Sequence, residues 1–240
     1  MQTTSALYKS ILAGDNHWFE NRLVIDNVGT FGETDLFSIE TSNNAVNGKP
    51  EIGKAVAGEI SVKMLMPSST IPRMATLRPS VRVCNATQQS EWIAQGVYFI
   101  DTREVTNNDD GLNILTIHGY DAMMKAEQGY PNTSHDWPYR DSLVVAEIAS
   151  AMGVTVDSRT NAFITSGYMI DLPLGYTMRE TLEHIAVMYA GNFVMSNEGK
   201  LLFVPLFGLN AEEWLTGSYL SVEGSTDALT FGNEGWYILV

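Results

Sequence analysis

The sequence holds a single cysteine, Cys84, so no disulfide can close within the chain and no thiolate zinc cage can be built from it. No apolar stretch approaches the ~18–20 residues that cross a bilayer as a helix. The start, Met1-Gln2-Thr3-Thr4-Ser5, lacks the basic residues and the long apolar run of a secretion signal. Synthesis and folding in a reducing cytoplasm is therefore the expectation. Cations are scarce as well: 14 Lys and Arg stand against 28 Asp and Glu, a formal charge of −14 over 240 residues. Duplex phosphate and anionic lipid repel such a chain, so neither specific nucleic-acid binding nor membrane insertion is expected. Solubility is the plainer role of the acidity.

Reaction motifs are missing too. The chain has no His-Glu-x-x-His, Gly-x-Ser-x-Gly, P-loop or Gly-x-Gly-x-x-Gly. None of the histidines, His17, His118, His135 and His184, lies three or four residues from another, which excludes a helical zinc pair. His118 reads as a packed strand residue, His184 as a solvated helix edge and Cys84 as a small buried side chain. Asn107-Asn108-Asp109-Asp110-Gly111 fails as an EF-hand loop, because the twelfth position is His118 where a Glu is required. It reads instead as a hairpin turn. No catalytic residue, metal or cofactor is assigned.

What is present is a change of period along the chain. Residues 5–13 suit a short helix stopped by Gly14, and Arg22–Asp26 opens the strands. Phe37 and Ile39 alternate with polar neighbours, as do Val81 and Val83. In 59–66, Ile60, Val62, Met64 and Met66 face one way until Pro67 ends the run. Residues 92–105 and 112–118 flank the Asp-Gly turn as a long hairpin. Short strands without intervening helices predict an antiparallel barrel or sandwich over 1–120.

Residues 121–205 predict a small α+β unit. It comprises a short helical run at 122–127, a helix at 141–152 stopped by Gly153, and a helix at 178–190 with Thr177 and Glu180 at capping-box spacing and Gly191 as its stop. A hairpin around Asn197–Lys200 follows. Residues 206–240 turn β-like again and finish on Trp236-Tyr237-Ile238-Leu239-Val240. Either this segment pairs back into the first unit or the chain stops where a further domain begins. The whole is α+β and mainly β.

Glu91-Trp92-Ile93-Ala94-Gln95-Gly96-Val97-Tyr98-Phe99-Ile100-Asp101, followed by Thr116-Ile117-His118-Gly119-Tyr120-Asp121-Ala122-Met123-Met124-Lys125, resembles the tail hub proteins of bacteriophages and prophages. These are relatives of the trimeric baseplate hub of contractile tails. Ile52-Gly53-Lys54-Ala55, Thr177–Leu182, Gly191-Asn192-Phe193 and Gly199-Lys200-Leu201-Leu202-Phe203 extend the resemblance over roughly residues 1–205. The resemblance implies a tail-tube-like antiparallel β-barrel interrupted by the α+β insert. It also implies a location in the virion tail baseplate and a job without catalysis. Copies of the chain would form a ring, a trimer, that joins tail tube and distal tail proteins to a central spike or tip, with DNA passing through the channel. A second barrel normally follows, whereas here only the 35 residues 206–240 remain.

Two other classes stay open: the N-terminal part of a tail-associated cell-wall hydrolase or peptidase, and a host-glycan-binding tail module. Trp92, Tyr98, Phe99, Tyr120, Tyr130, Trp137 and Tyr139 are the aromatics that would line a sugar groove. The candidate interface residues are Trp236, Tyr237 and Ile238 in the last strand and Tyr130, Trp137 and Tyr139 in the aromatic loop. Core packing is the alternative reading for each.

Overall fold

The computed structural model describes residues 4–43, 51–107, 111–131, 135–165 and 167–206, and the backbone of 231–232 and 235–236. Helix α1 (Ala6–Leu12) is capped by Ser5, whose hydroxyl accepts from Tyr8 N. Ser5 is itself held by Glu91. The helix ends on Ala13 in right-handed geometry, so Gly14 does not supply the left-handed stop.

The large sheet is antiparallel throughout. Its strands are β1 (Trp18–Ile25), β2 (Gly29–Phe31), β3 (Leu36–Ser42), β5 (Glu59–Leu65), β6 (Thr76–Cys84), β7 (Ile93–Ala94), β8 (Tyr98–Asn107) and β9 (Asn113–Asp121). They run in the order β2-β1-β6-β8-β9-β5-β3, with β7 beside β6. Every strand on that path gives apolar side chains to one core. Leu23 and Ile25, Ile60, Val62 and Met64, Leu77, Tyr98 and Ile100, and Leu115 and Ile117 are buried there. Phe31, Leu36 and Ile39 of the two outermost strands pack against them.

Laid flat, seven strands ~4.8 Å apart would hold β2 and β3 about 29 Å from each other. Yet Gly32–Asp35 alone joins them, through a turn in which Gly32 O accepts from Asp35 N at 2.9 Å and Leu36 N at 3.0 Å. The sheet must therefore curl round its own core. Among the described residues no ladder joins β2 to β3, so the curl is not a hydrogen-bonded barrel.

Alternation fails at two expected positions. A register shift between Leu36 and Ser38 turns Phe37 outward, 55% exposed, and leaves Leu36 and Ile39 on the core side. Met66 lies beyond the end of β5 and is 42% exposed. The long hairpin forms as expected, β8 pairing β9 as far as Asn107↔Asn113, with a bulge between Ile100 and Thr102. At that bulge the backbones approach so closely that a Cβ on Gly119 would run into Phe99 O.

A second core is built from α2 (Asp141–Met152), α3 (Met178–Met188), a 3-10 turn at Ala122–Glu127, and the hairpin β12 (Gly191–Met195) and β13 (Leu201–Pro205). The apolar stripe of α2, Val144, Val145, Ile148, Ala149 and Met152, is buried in full, and Gly153 takes the left-handed C-cap at φ 75°. Thr177 and Glu180 form both halves of the capping box on α3. The stop of α3 differs from expectation. Ala190 adopts the left-handed turn, φ 49°, while Gly191 opens β12, where a Cβ would collide with the Phe203 ring. The sequence reading also misses β4 (Lys54–Ala55), which leaves the sheet region to pair in parallel with β12 and places Ala55 in the second core.

Candidate functional site

The α+β unit presents one face crowded with aromatic and apolar side chains. Three expected interface residues meet there. Tyr130 and Tyr139 each place their rings 5.9 Å from Trp137, and His135 stacks on Tyr139 at 3.7 Å. Glu147 of α2 anchors the group, accepting from the Tyr130 hydroxyl and pairing with His135 Nε2 at 3.0 Å. Burial, and then Glu147, push the Tyr130 phenol well above its ordinary pKa, so it stays a protonated donor and not a nucleophile. All three residues are half-buried against the second core. They are thus part of the packing and part of the surface.

The adjoining strip escaped the sequence reading. β10 (Tyr139–Arg140) pairs with β11 (Met169–Ile170), and Tyr176 O accepts from Tyr130 N, so the aromatic loop borders the segment Tyr168–Tyr176. In that segment Tyr168, Met169, Leu172, Leu174 and Tyr176 are all exposed, Met169 at 57% and Leu174 at 77%. Polar ties hold the strip in place. Tyr168 N and the Tyr189 hydroxyl both donate to buried Asp141 Oδ2, and Tyr176 meets His184 edge to face at 5.0 Å. Apolar residues fixed outward beside ordered aromatics suit contact with another protein. The only signal in the sequence was the density of Tyr, Met and Leu over 168–176, which a buried strand would share.

The remaining expected positions are dispersed. Tyr98 lies wholly inside the sheet core, with its hydroxyl donating to Asn43 Oδ1 or Gln95 O at 2.9 Å; burial drives its pKa up to about 12. Phe99 faces the second core and carries Lys125 Nζ 4.0 Å above its ring. The seven aromatics therefore do not line one groove. His118 is corrected from packed to exposed, because Leu115 and Ile117 take the core side of β9. Cys84 is buried as expected, and burial raises its thiol pKa. At the chain end Phe231 pairs with Trp236 in a two-residue hairpin, β14 (Phe231–Gly232) and β15 (Gly235–Trp236). Tyr237 and Ile238 lie outside the described residues.

The seam between the two cores is a cleft of about 640 Å³ lined by Glu51, Lys54, Glu59, Tyr120, Glu127, Arg179 and Glu183 among others. Next in the chain after the lining residue Tyr120 comes Asp121, the last residue of β9. Asp121 is 3% exposed, and accepts from Gly58 N at 2.6 Å and Met123 N at 2.9 Å. Burial lifts its pKa to about 6 despite those two bonds and the charge of Arg179. Its two backbone bonds tie the end of β9 to Gly58 and to the 3-10 turn that follows. Among the described residues no group of His, Cys, Asp and Glu is arranged to hold a metal.

No family model matches the chain, and no curated protein does. Solved structures do match, and tail proteins are among them. The crystal structure of the 43 kDa tail protein of prophage MuSo2 from Shewanella oneidensis aligns with a TM-score of 0.55 at 14% identity, over 80% of this chain and 57% of that one. A tail protein from Neisseria meningitidis MC58 aligns at 0.48 and 12% identity, over 77% and 51%. This chain thus spans little more than half the length of either. At such identity the likeness to the MuSo2 protein is one of fold.

Proposed function

We propose that the chain is a structural component of a phage or prophage tail, acting at the baseplate or tail-tip hub without catalysis. In this reading copies pack into a ring, a trimer, that joins the tail tube and distal tail proteins to a central spike or tip. The curled sheet then serves as the tail-tube-like barrel.

The observation that carries the reading is the sheet's open edges, those on β3 and β8 among them. Residues 37–41 of β3 and 102–107 of β8 each have a strand on one side and none on the other among the described residues. Long unpaired edges invite another chain, and closure into a symmetric ring satisfies them. The outward side of the sheet gathers Glu40, Glu59 and Asp101 around one shallow groove. Turned to the lumen, these carboxylates would let DNA slide past without sticking.

The test is the mass of the full chain in solution by sedimentation or native mass spectrometry. A trimer is expected; a monomer at the highest soluble concentration overturns the ring. Turnover of peptidoglycan or casein by the purified chain would overturn the non-enzymatic reading.

A further inference from the structure

We propose that the groove formed by Arg22, Arg82 and Trp92 on the outer face of the sheet receives a carboxylate carried by an acidic segment of a partner protein.

The cross-strand register sets the site up. Glu20 lies opposite Arg82 and Arg22 opposite Ser80, so four side chains of β1 and β6 share the face turned away from the core. Trp92, immediately before β7, lies against both cations, 4.2 Å from the Arg22 guanidinium carbon and 4.5 Å from that of Arg82.

The charges in this ladder do not balance. Glu20 is fully engaged: its Oε2 accepts from Arg82 Nε at 2.8 Å and Nη2 at 2.6 Å, and its Oε1 from Trp18 Nε1 at 3.4 Å. Arg22 donates through Nε to Ser80 Oγ at 3.1 Å, and among the described residues its two Nη groups meet no acceptor. Burial and the neighbouring charge of Arg82 both hold the Arg22 pKa below its ordinary value, the mark of a cation lacking its counter-ion.

The space beside Arg22 is a groove of about 330 Å³ walled by Asn21, Thr30, Gly32, Glu33 and Thr34. With both Nη groups unused, the guanidinium keeps one two-donor edge that matches a carboxylate fork. The ladder itself carries one surplus positive charge, which suits a monoanion better than a dianionic phosphate. Glu33 is exposed at the rim and forms no ion pair among the described residues; it opposes an incoming anion and sets a threshold for entry. On a chain of charge −14, a notch on which two arginines converge marks the point at which an acidic partner can be tolerated.

The test is a titration of the ¹⁵N-labelled full chain with blocked hexaglutamate at low ionic strength. The readout is the Trp92 indole N–H cross-peak, assigned by its loss in Trp92→Phe. A saturable shift is expected. Arg22→Gln should weaken it by about tenfold or more, as for loss of a charged hydrogen bond. Arg22→Lys should restore part of the binding, and Glu33→Gln should tighten it several-fold by clearing the rim. The proposal is overturned if neither the native chain nor Glu33→Gln shifts the peak, or if a folded Arg22→Gln binds as well as the native chain. Inorganic phosphate moving the peak at the same concentration would overturn the assignment to a carboxylate.

Discussion

Asp121 shows how a single side chain can hold a seam and weaken it at once. Its folded pKa of about 6 exceeds the ordinary 3.8, because burial disfavours the charge more than Gly58 N, Met123 N and Arg179 favour it. A raised folded pKa gives stability that is fully present below about pH 4 and lost as pH rises through about 6. Chemical denaturation of the native chain should show this loss, ~3 kcal/mol from a shift of about two units. Asp121→Asn should flatten the profile over that window while lowering stability at every pH, since its NH2 cannot accept from a backbone N–H. Asp157 slopes the other way. Arg159 holds its carboxylate down to about 2, so its contribution is present above about pH 4 and fades as pH falls through 2. Burial separates two further residues of similar hydrophobicity. Phe203→Ala, at the centre of the second core, should cost ~3–5 kcal/mol. Leu174→Ser should change the thermal midpoint little, within ~0.5 kcal/mol, because its side chain already lies in water.

Among the elements, those with local signatures were the legible ones. α2 announced itself by stripe and stop, α3 by stripe and cap, and the β8–β9 hairpin by its Asp-Gly turn. Thr177→Ala should cost ~1 kcal/mol of stability, measured by denaturant midpoint, because the Glu180 backbone N–H loses its acceptor. What stayed hidden depends on partners distant in the chain. β4 is two residues long and defined only by β12, 138 positions away. The bulge that turns Phe37 outward depends on pairing with β5, not on residues 36–39 themselves. The aromatic loop was legible as a cluster, but its neighbour at 168–176 was not, since exposure is a property of packing. The open half of β8 makes a direct prediction. Val105→Pro should leave the core intact while reducing association of copies in sedimentation, because the Val105 N–H points away from β9 and proline removes that donor from the open edge.

At the scale of the whole molecule, charge and shape set how copies meet. Two copies of charge −14 repel beyond their contacts, and salt screens that repulsion over ~10 Å at 0.1 M. Self-association should therefore strengthen as salt rises from 0.02 to 0.5 M, read by sedimentation equilibrium. Capture of an acidic partner in the Arg22 groove should weaken over the same range, so the two kinds of contact are separable by ionic strength alone. The resemblance in the sequence anticipated the class of fold, but not that the sheet would lack a closing ladder. The four residues Gly32–Asp35 carry the remaining burden. By tethering the first strand of the path to the last, they set its girth. Any insertion there would widen the mouth of the curl before it disturbed a single buried side chain.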